Sequence, residues 1–293
     1  MKHLAVLCVL CPLWLSPPAG AAQFPVLEDE CHGRQLMIKG PIEAGDAERF
    51  AAQLTRMISS PDLPASQDPD VLWTLRLDSP GGEIAEAMAI GRLVHAAFIT
   101  TEVNFRFEQR ADGVWDFARG AEVVCLEGDD RLSGCVPDAV EAACTGACLL
   151  IWLAGSERRA IEGRLGAHGL AGDPAALTAY LREIAIEPAA TELILARARD
   201  AAQTGAEAPQ NGWLDWTDRK ALAGTAPELE VLVAGCPPAL TPEEAMQSVM
   251  TRSPAERAAL LDRSEAYWDC RNSLVEAARA TPLAALVGMP GRG

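Results

Sequence analysis

The sequence predicts a mixed α/β domain with an inserted β-hairpin and a helical extension at its C-terminal end. Three observations carry that prediction. Val71, Leu72, Trp73, Leu75 and Leu77 form an apolar run bounded by polar residues, the mark of a buried strand. Ile84, Ala87, Met88, Gly91 and Val94 recur at helical spacing directly after a Pro80-Gly81-Gly82 corner. From Asp173 onward helix starts dominate, with Asp173-Pro174 and Thr241-Pro242-Glu243-Glu244 supplying an N-cap and a proline at the first helical position.

The chain has 293 residues and 49% hydrophobic content, enough for a sizeable core. Residues 1–22 read as a secretory leader: Lys2 and His3, an apolar run from Leu4 to Leu15, then Ala19-Gly20-Ala21 as a small-residue cleavage pattern. After it no run is long enough to span a membrane. The expected location is therefore the periplasm or the outside of the cell. Removing residues 1–22 takes away Lys2 and no carboxylate, moving the formal charge from −16 to −17. So acidic a protein repels nucleic acid and anionic lipid, and neither is an expected partner.

Of nine cysteines, Cys8 and Cys11 leave with the leader, and seven remain for an oxidising compartment. Cys125 and Cys135 flank a polar loop rich in Gly and Asp and are the simplest pair. Cys236 and Cys270 could tie the C-terminal helices to the domain. Cys144 and Cys148 are further disulfide candidates, with a metal site as the rival reading, and Cys31 is unassigned. A lone Cys-x-x-x-Cys without placed histidines is weak evidence for a metal, and none is expected.

In order, Gln35 to Lys39 reads as a first strand, and Asp46 as the N-cap of a helix whose apolar face is Phe50, Leu54, Met57 and Ile58. A Ser-, Pro- and Asp-rich loop fills residues 59–70 before the Val71–Leu77 strand. Ile99 to Phe107 reads as another strand. Residues 108–142 read as an inserted hairpin and loop, with Trp115, Phe117, Val123 and Val124 among polar residues. Ala143 to Gly155 is small and apolar throughout, as a buried helix would be, and Arg164 to His168 reads as a short strand. Ser253-Pro254-Ala255-Glu256 adds a capping box. The final helix carries Leu260, Leu261, Ser264, Tyr267, Trp268, Leu274, Val275 and Ala278 near one stripe, read as a packing face.

The Pro80-Gly81-Gly82 corner opens a helix, so free N–H groups point above the strand end, a geometry suited to an oxyanion. Alone it is only a turn. Two further pieces follow in order: Cys144-Thr145-Gly146-Ala147-Cys148 running into Leu149-Leu150, and Gly166-Ala167-His168-Gly169 at a strand end. Over residues 35 to 225 this order resembles the Clp-protease proteolytic subunit and its exported relatives in the ClpP/crotonase superfamily. The resemblance implies a spiral of ββα units in residues 23–235, interrupted by the insertion at about 108–142 and followed by a helical extension over 236–293. It implies a Ser-His-Asp peptidase centre, with oxyanion donors in the Gly81-Gly82 turn falling on Gly82 and Ile84, and the general base on His168.

The nucleophile departs from that pattern. Gly146 occupies the position where the exported relatives carry serine, and glycine has no group to attack a carbonyl. Thr145 is adjacent, but one residue at a helix start turns a side chain by about 100°; it reads better as a helix N-cap. The acid is expected near the short helix at Trp216 to Ala223, where Asp215 and Asp218 lie. Two functions follow: a catalytically silent member of the fold that binds a peptide or partner chain along a strand edge, or a hydrolase using Thr145 or another nucleophile with His168. Thioester chemistry of the crotonase type is disfavoured by export. No cofactor and no ATPase partner are expected outside the cytoplasm, and a homo-oligomer is a further expectation of the resemblance.

Overall fold

The computed structural model describes residues 21–29, 33–59, 74–104, 106–111, 113, 115–117, 119–126, 134–139, 141–160, 163–170, 172–204, 212–251 and 253–287. Residues 1–20 of the expected leader, Cys31, and Val71 to Trp73 of the expected strand lie outside them.

The chain is mixed α/β. β1 (Val26–Asp29) and β2 (Gly33–Lys39) pair antiparallel, with Val26 opposite Leu36. After α1 (Asp46–Ser59), β3 (Thr74–Asp78) runs parallel to β2 with Leu77 opposite Ile38. After α2 (Ile84–Ala96), β4 (Thr100–Glu102) joins β3 in parallel. Two antiparallel pairs follow, β5 (Phe107–Gln109) with β6 (Trp115–Phe117), and β7 (Arg119–Leu126) with β8 (Gly134–Ala139). β9 (Ala143–Thr145) leads into α3 (Ala147–Leu153), and β10 (Glu157–Arg159) extends the main sheet parallel to β4. β11 (Arg164–Gly166) lies parallel to β9. α4 (Pro174–Glu183), α5 (Pro188–Thr204) and α6 (Trp216–Leu222) follow. β12 (Gly224–Thr225) closes the sheet antiparallel to β10, before α7 (Pro227–Val233), α8 (Pro242–Met250) and α9 (Pro254–Val287). The main sheet thus runs β1-β2-β3-β4-β10-β12, four parallel strands between antiparallel edges.

The core forms where the apolar pattern placed it. Leu36, Ile38, Leu75 and Leu77 of the sheet, Phe50 and Leu54 of α1, and Ile90 and Val94 of α2 are buried together. α3 is apolar on every side and every residue from Ala147 to Leu153 is buried, as a helix in mid-domain requires. Its carbonyls are claimed by neighbours. The Tyr180 hydroxyl donates to Leu150 O at 2.9 Å and the Thr101 hydroxyl to Trp152 O at 2.7 Å. Burial pushes the Tyr180 phenol well above its ordinary range, so it stays a hydrogen-bond donor.

Several boundaries differ from the sequence expectation. The stretch Ile99 to Phe107 is not one strand: it leaves the main sheet after Glu102, Val103 N–H making the last bond to β10 at Arg159 O (2.9 Å) while Asn104 O accepts from Ala142 N–H at 2.9 Å, and strand resumes at Phe107. The first three residues of Ala143–Gly155 are strand β9 rather than helix, because Ala143 and Thr145 are hydrogen-bonded to Ser79 at the end of β3. The apolar stripe of the last helix is only partly a packing face. Val275 is buried, while Leu261 and Trp268 remain exposed. α9 docks instead through two buried arginines, Arg271 to Glu157 of β10 and Arg279 to the carbonyl of Phe98.

Two expected disulfides are present. Cys144 pairs with Cys148, and Cys236 after α7 pairs with Cys270 in mid-α9, at Cα–Cα distances of 5.2 and 5.7 Å. Cys125 and Cys135 are direct cross-strand partners in the β7–β8 register. The Cys236–Cys270 bridge closes a loop of 34 residues, for which chain entropy gives about 3–4 kcal/mol. Replacing both cysteines with alanine should lower the thermal midpoint by several degrees, read by circular dichroism under oxidising conditions. An unchanged midpoint would mean the bridge adds nothing to α9 docking.

Candidate functional site

The three sequence pieces meet at the C-terminal ends of parallel strands, the usual place for ligands in such sheets. β9 is joined to the end of β3: Ser79 N–H donates to Ala143 O at 2.7 Å and Thr145 N–H to Ser79 O at 3.0 Å. The Asp78 carboxylate strengthens the junction, accepting from Ala143 N–H at 3.1 Å and from Arg106 at 3.2 Å. On the far side Gly146 N–H donates to Gly166 O at 2.9 Å, linking β9 to β11.

The corner after β3 is held from both sides. The Ser79 hydroxyl accepts from Gly81 N–H at 3.1 Å, Gly81 O accepts from Ile42 N–H at 2.7 Å, and Glu83 N–H donates to Ile42 O at 2.9 Å. Gly81 has φ +91°, and a Cβ there would fall 2.5 Å from Thr145 O and 2.9 Å from Ala147 N. Only glycine permits that approach. The N–H of Gly82 donates to no acceptor among the described residues, and the N–H of Ile84 is one of the free donors of the first turn of α2. These are the two groups expected to face an oxyanion.

Gly146 is the apex of a strand–turn–helix elbow. It has φ 55° and ψ −126°, joins β9 to α3, and caps that helix without a side-chain hydrogen bond. A Cβ on it would lie 2.9 Å from His168 O and 3.7 Å from the Gly169 Cα. The apex therefore sits between the Gly81 turn and the His168-Gly169 peptide. The Cys144–Cys148 disulfide encloses it, tying the middle of β9 to the first turn of α3. Thr145 is not the N-cap expected of it: it is the last residue of β9, buried, with its backbone spent on the β3 and β11 ladders.

His168 is half-buried. Its ring lies over the backbone of Gly166, where a Cβ would come within 2.5 Å of Cε1, and meets Trp213 edge-on at a centroid distance of 4.8 Å. Burial holds the imidazole below its ordinary pKa, and the positive charge of Arg164 works in the same direction. The contact with the Gly212 backbone works the other way without forming a well-aligned bond, since Nδ1 is buried with no partner. The ring is neutral at neutral pH and can accept a proton or a hydrogen bond.

The expected acid is engaged elsewhere. Asp215 caps α6, accepting from Asp218 N–H at 2.9 Å, and its exposed carboxylate lies 3.4 Å from Arg197. That backbone bond, with others at the cap, holds its pKa below the usual carboxylate range. Asp218 is buried and paired with Arg197 at 2.7 Å. The helix cap, not a triad, explains both acids. No family model matches the chain, and no curated protein matches it.

The site then consists of a donor-lined turn, an elbow without a side chain at its apex, and a neutral imidazole lacking an orienting carboxylate among the described residues. It can receive and polarise a carbonyl or an anion, but Gly146 offers no atom to attack one. Asp78 and Ser79 belong to the stretch that carries the corner, but nothing in the sequence gives either the tethering role seen here; Trp213 went unrecognised, with only the preceding Gly212 to mark it.

Proposed function

We propose that this is an exported protein of the ClpP/crotonase-like fold whose groove binds a peptide or partner chain without cleaving it. The observation that carries the reading is the elbow at Gly146. Its backbone has the sharp strand-to-helix geometry of a nucleophile turn, packed between the Gly81 turn and the His168-Gly169 peptide, with the nucleophile position empty of a side chain. The mixed sheet with parallel centre, the hairpin insertion and the two disulfides support the fold and the export. Among the described residues no helix is long and apolar enough to cross a membrane.

The test is labelling by a fluorophosphonate probe of wild type, Gly146→Ser, Gly146→Ser with His168→Ala, and Gly146→Ala. Serine at φ 55°, with its Cβ 2.9 Å from His168 O, costs about 1–3 kcal/mol of strain; Gly146→Ala reports that cost without a nucleophile. Wild type should stay unlabelled and Gly146→Ser should label in a His168-dependent manner. Labelling of wild type that disappears in Thr145→Ala would overturn the reading in favour of a threonine hydrolase. A folded Gly146→Ser protein that resists the probe would show that the turn and imidazole do not form a reactive centre.

A further inference from the structure

Resting on that peptide-binding reading, we propose that Arg164, stacked on Trp213 beside the site, is the seat for a carboxylate of the bound peptide. The Arg164 guanidinium carbon lies 4.0 Å from the centroid of the Trp213 ring, and Trp213 in turn meets His168 at 4.8 Å. Trp213 is itself fixed: it bridges antiparallel to Gly166, and Leu214 N–H donates to Leu165 O at 2.9 Å. The arginine is exposed, yet its plane is held over a ring, so little side-chain freedom is left to lose when a ligand binds.

Arg164 has no ion pair and no side-chain hydrogen bond among the described residues. That sets it apart from the arginines around it. Arg106 is paired with Asp78, Arg197 with Asp215 and Asp218, and Arg219 donates to Gly163 O. The chain has 41 acidic residues against 25 basic ones, so an unclaimed, preorganised guanidinium beside the Trp213–His168 pair is an uncommon local charge. Five donors in a planar fork match a carboxylate in two parallel hydrogen bonds.

The spacing suits an extended peptide. Arg164 and Gly166 lie on the same face of β11, two residues apart, and Gly166 is the residue beneath the His168 ring. Both edges of β11 are already paired, by β9 and by residues 212–214, so the peptide crosses the face that Arg164 shares with the His168 ring and adds no strand to β11. A peptide crossing the His168 ring above Gly166 would present a carboxylate about two strand residues away, at Arg164. The source of that carboxylate is an acidic side chain or a free C-terminus.

Three peptides distinguish these cases, measured by calorimetry in 0.15 M salt, where long-range repulsion from the acidic protein is screened beyond about 8 Å. They are acetyl-Ala-Ala-Glu-Ala-Ala-amide, the same peptide with Gln for Glu, and acetyl-penta-alanine with a free C-terminal carboxylate. At least one carboxylate peptide should bind tenfold or more tighter than the Gln peptide. Arg164→Gln should abolish that preference and leave the affinity of the Gln peptide unchanged, while Arg164→Lys, which keeps charge but not the planar fork, should restore only part of it. Equal affinity for all three peptides, or a preference that survives Arg164→Gln, overturns the assignment and leaves peptide binding standing. Binding of none of them at millimolar concentration overturns both.

Discussion

Alanine in place of Gly81 should destabilise the protein by about 3–5 kcal/mol, combining left-handed strain with backbone overpacking. The φ of +91° disfavours any L side chain, and the new Cβ would meet Thr145 O at 2.5 Å and Ala147 N at 2.9 Å. Both obstacles are main chain. They are held by the β3–β9 ladder and by the disulfide around Gly146, so neither can rotate aside as a side-chain tip would. For a domain of this size the thermal midpoint should fall by about 10 °C. Pro80→Ala, at an exposed position one residue earlier, should cost less than about 1 kcal/mol. Equal midpoints for the two variants would mean that the turn and the elbow do not touch as described.

The second large effect lies far from the site. Arg271→Met removes a buried arginine from Glu157, and loss of one partner from a buried pair costs about 3–5 kcal/mol. Arg159 still contacts Glu157, so the lower end applies. Adding Glu157→Gln to Arg271→Met should recover part of the loss by removing the stranded charge. The pair also sets a pH dependence. Burial alone would raise the Glu157 carboxyl, but Arg271 and Arg159 outweigh it and hold the carboxyl below its ordinary value. Its stabilising contribution is therefore present above about pH 4.3 and lost as pH falls through the lower folded value. Denaturation of wild type and Arg271→Met should differ most near pH 7 and converge toward pH 3. A constant gap across that range would remove Glu157 from the explanation.

The sequence revealed elements where one physical pattern acted alone. The face Ala87, Met88, Gly91 and Val94 of α2 is buried as its period requires, and the caps at Asp173 and Thr241 form as their chemistry dictates. It misled where tertiary contacts override local composition. Ala143-Cys144-Thr145 has helical company on its C-terminal side, yet the unsatisfied backbone at the end of β3 draws it into a strand. Short β10 carries Glu157-Arg158-Arg159, polar residues with no strand period, because its charges face α9 and α6. Among site residues, Gly81, Gly146 and His168 were legible because backbone constraint selects glycine and order along the chain linked them. Arg164 and Trp213 were not. Their stack joins residues nearly fifty positions apart, and only the fold brings them into register.

The bridge between Cys144 and Cys148 also orders events during biogenesis. Both residues are wholly inaccessible to solvent in the finished molecule, so an oxidant must reach the thiols before α3 is enclosed. A chain that closes its core while still reduced would shelter the thiols from oxidants, and one oxidised early enters the core with its elbow already tied. Encounter with an oxidant, ahead of final burial, thus decides which covalent form of the protein accumulates.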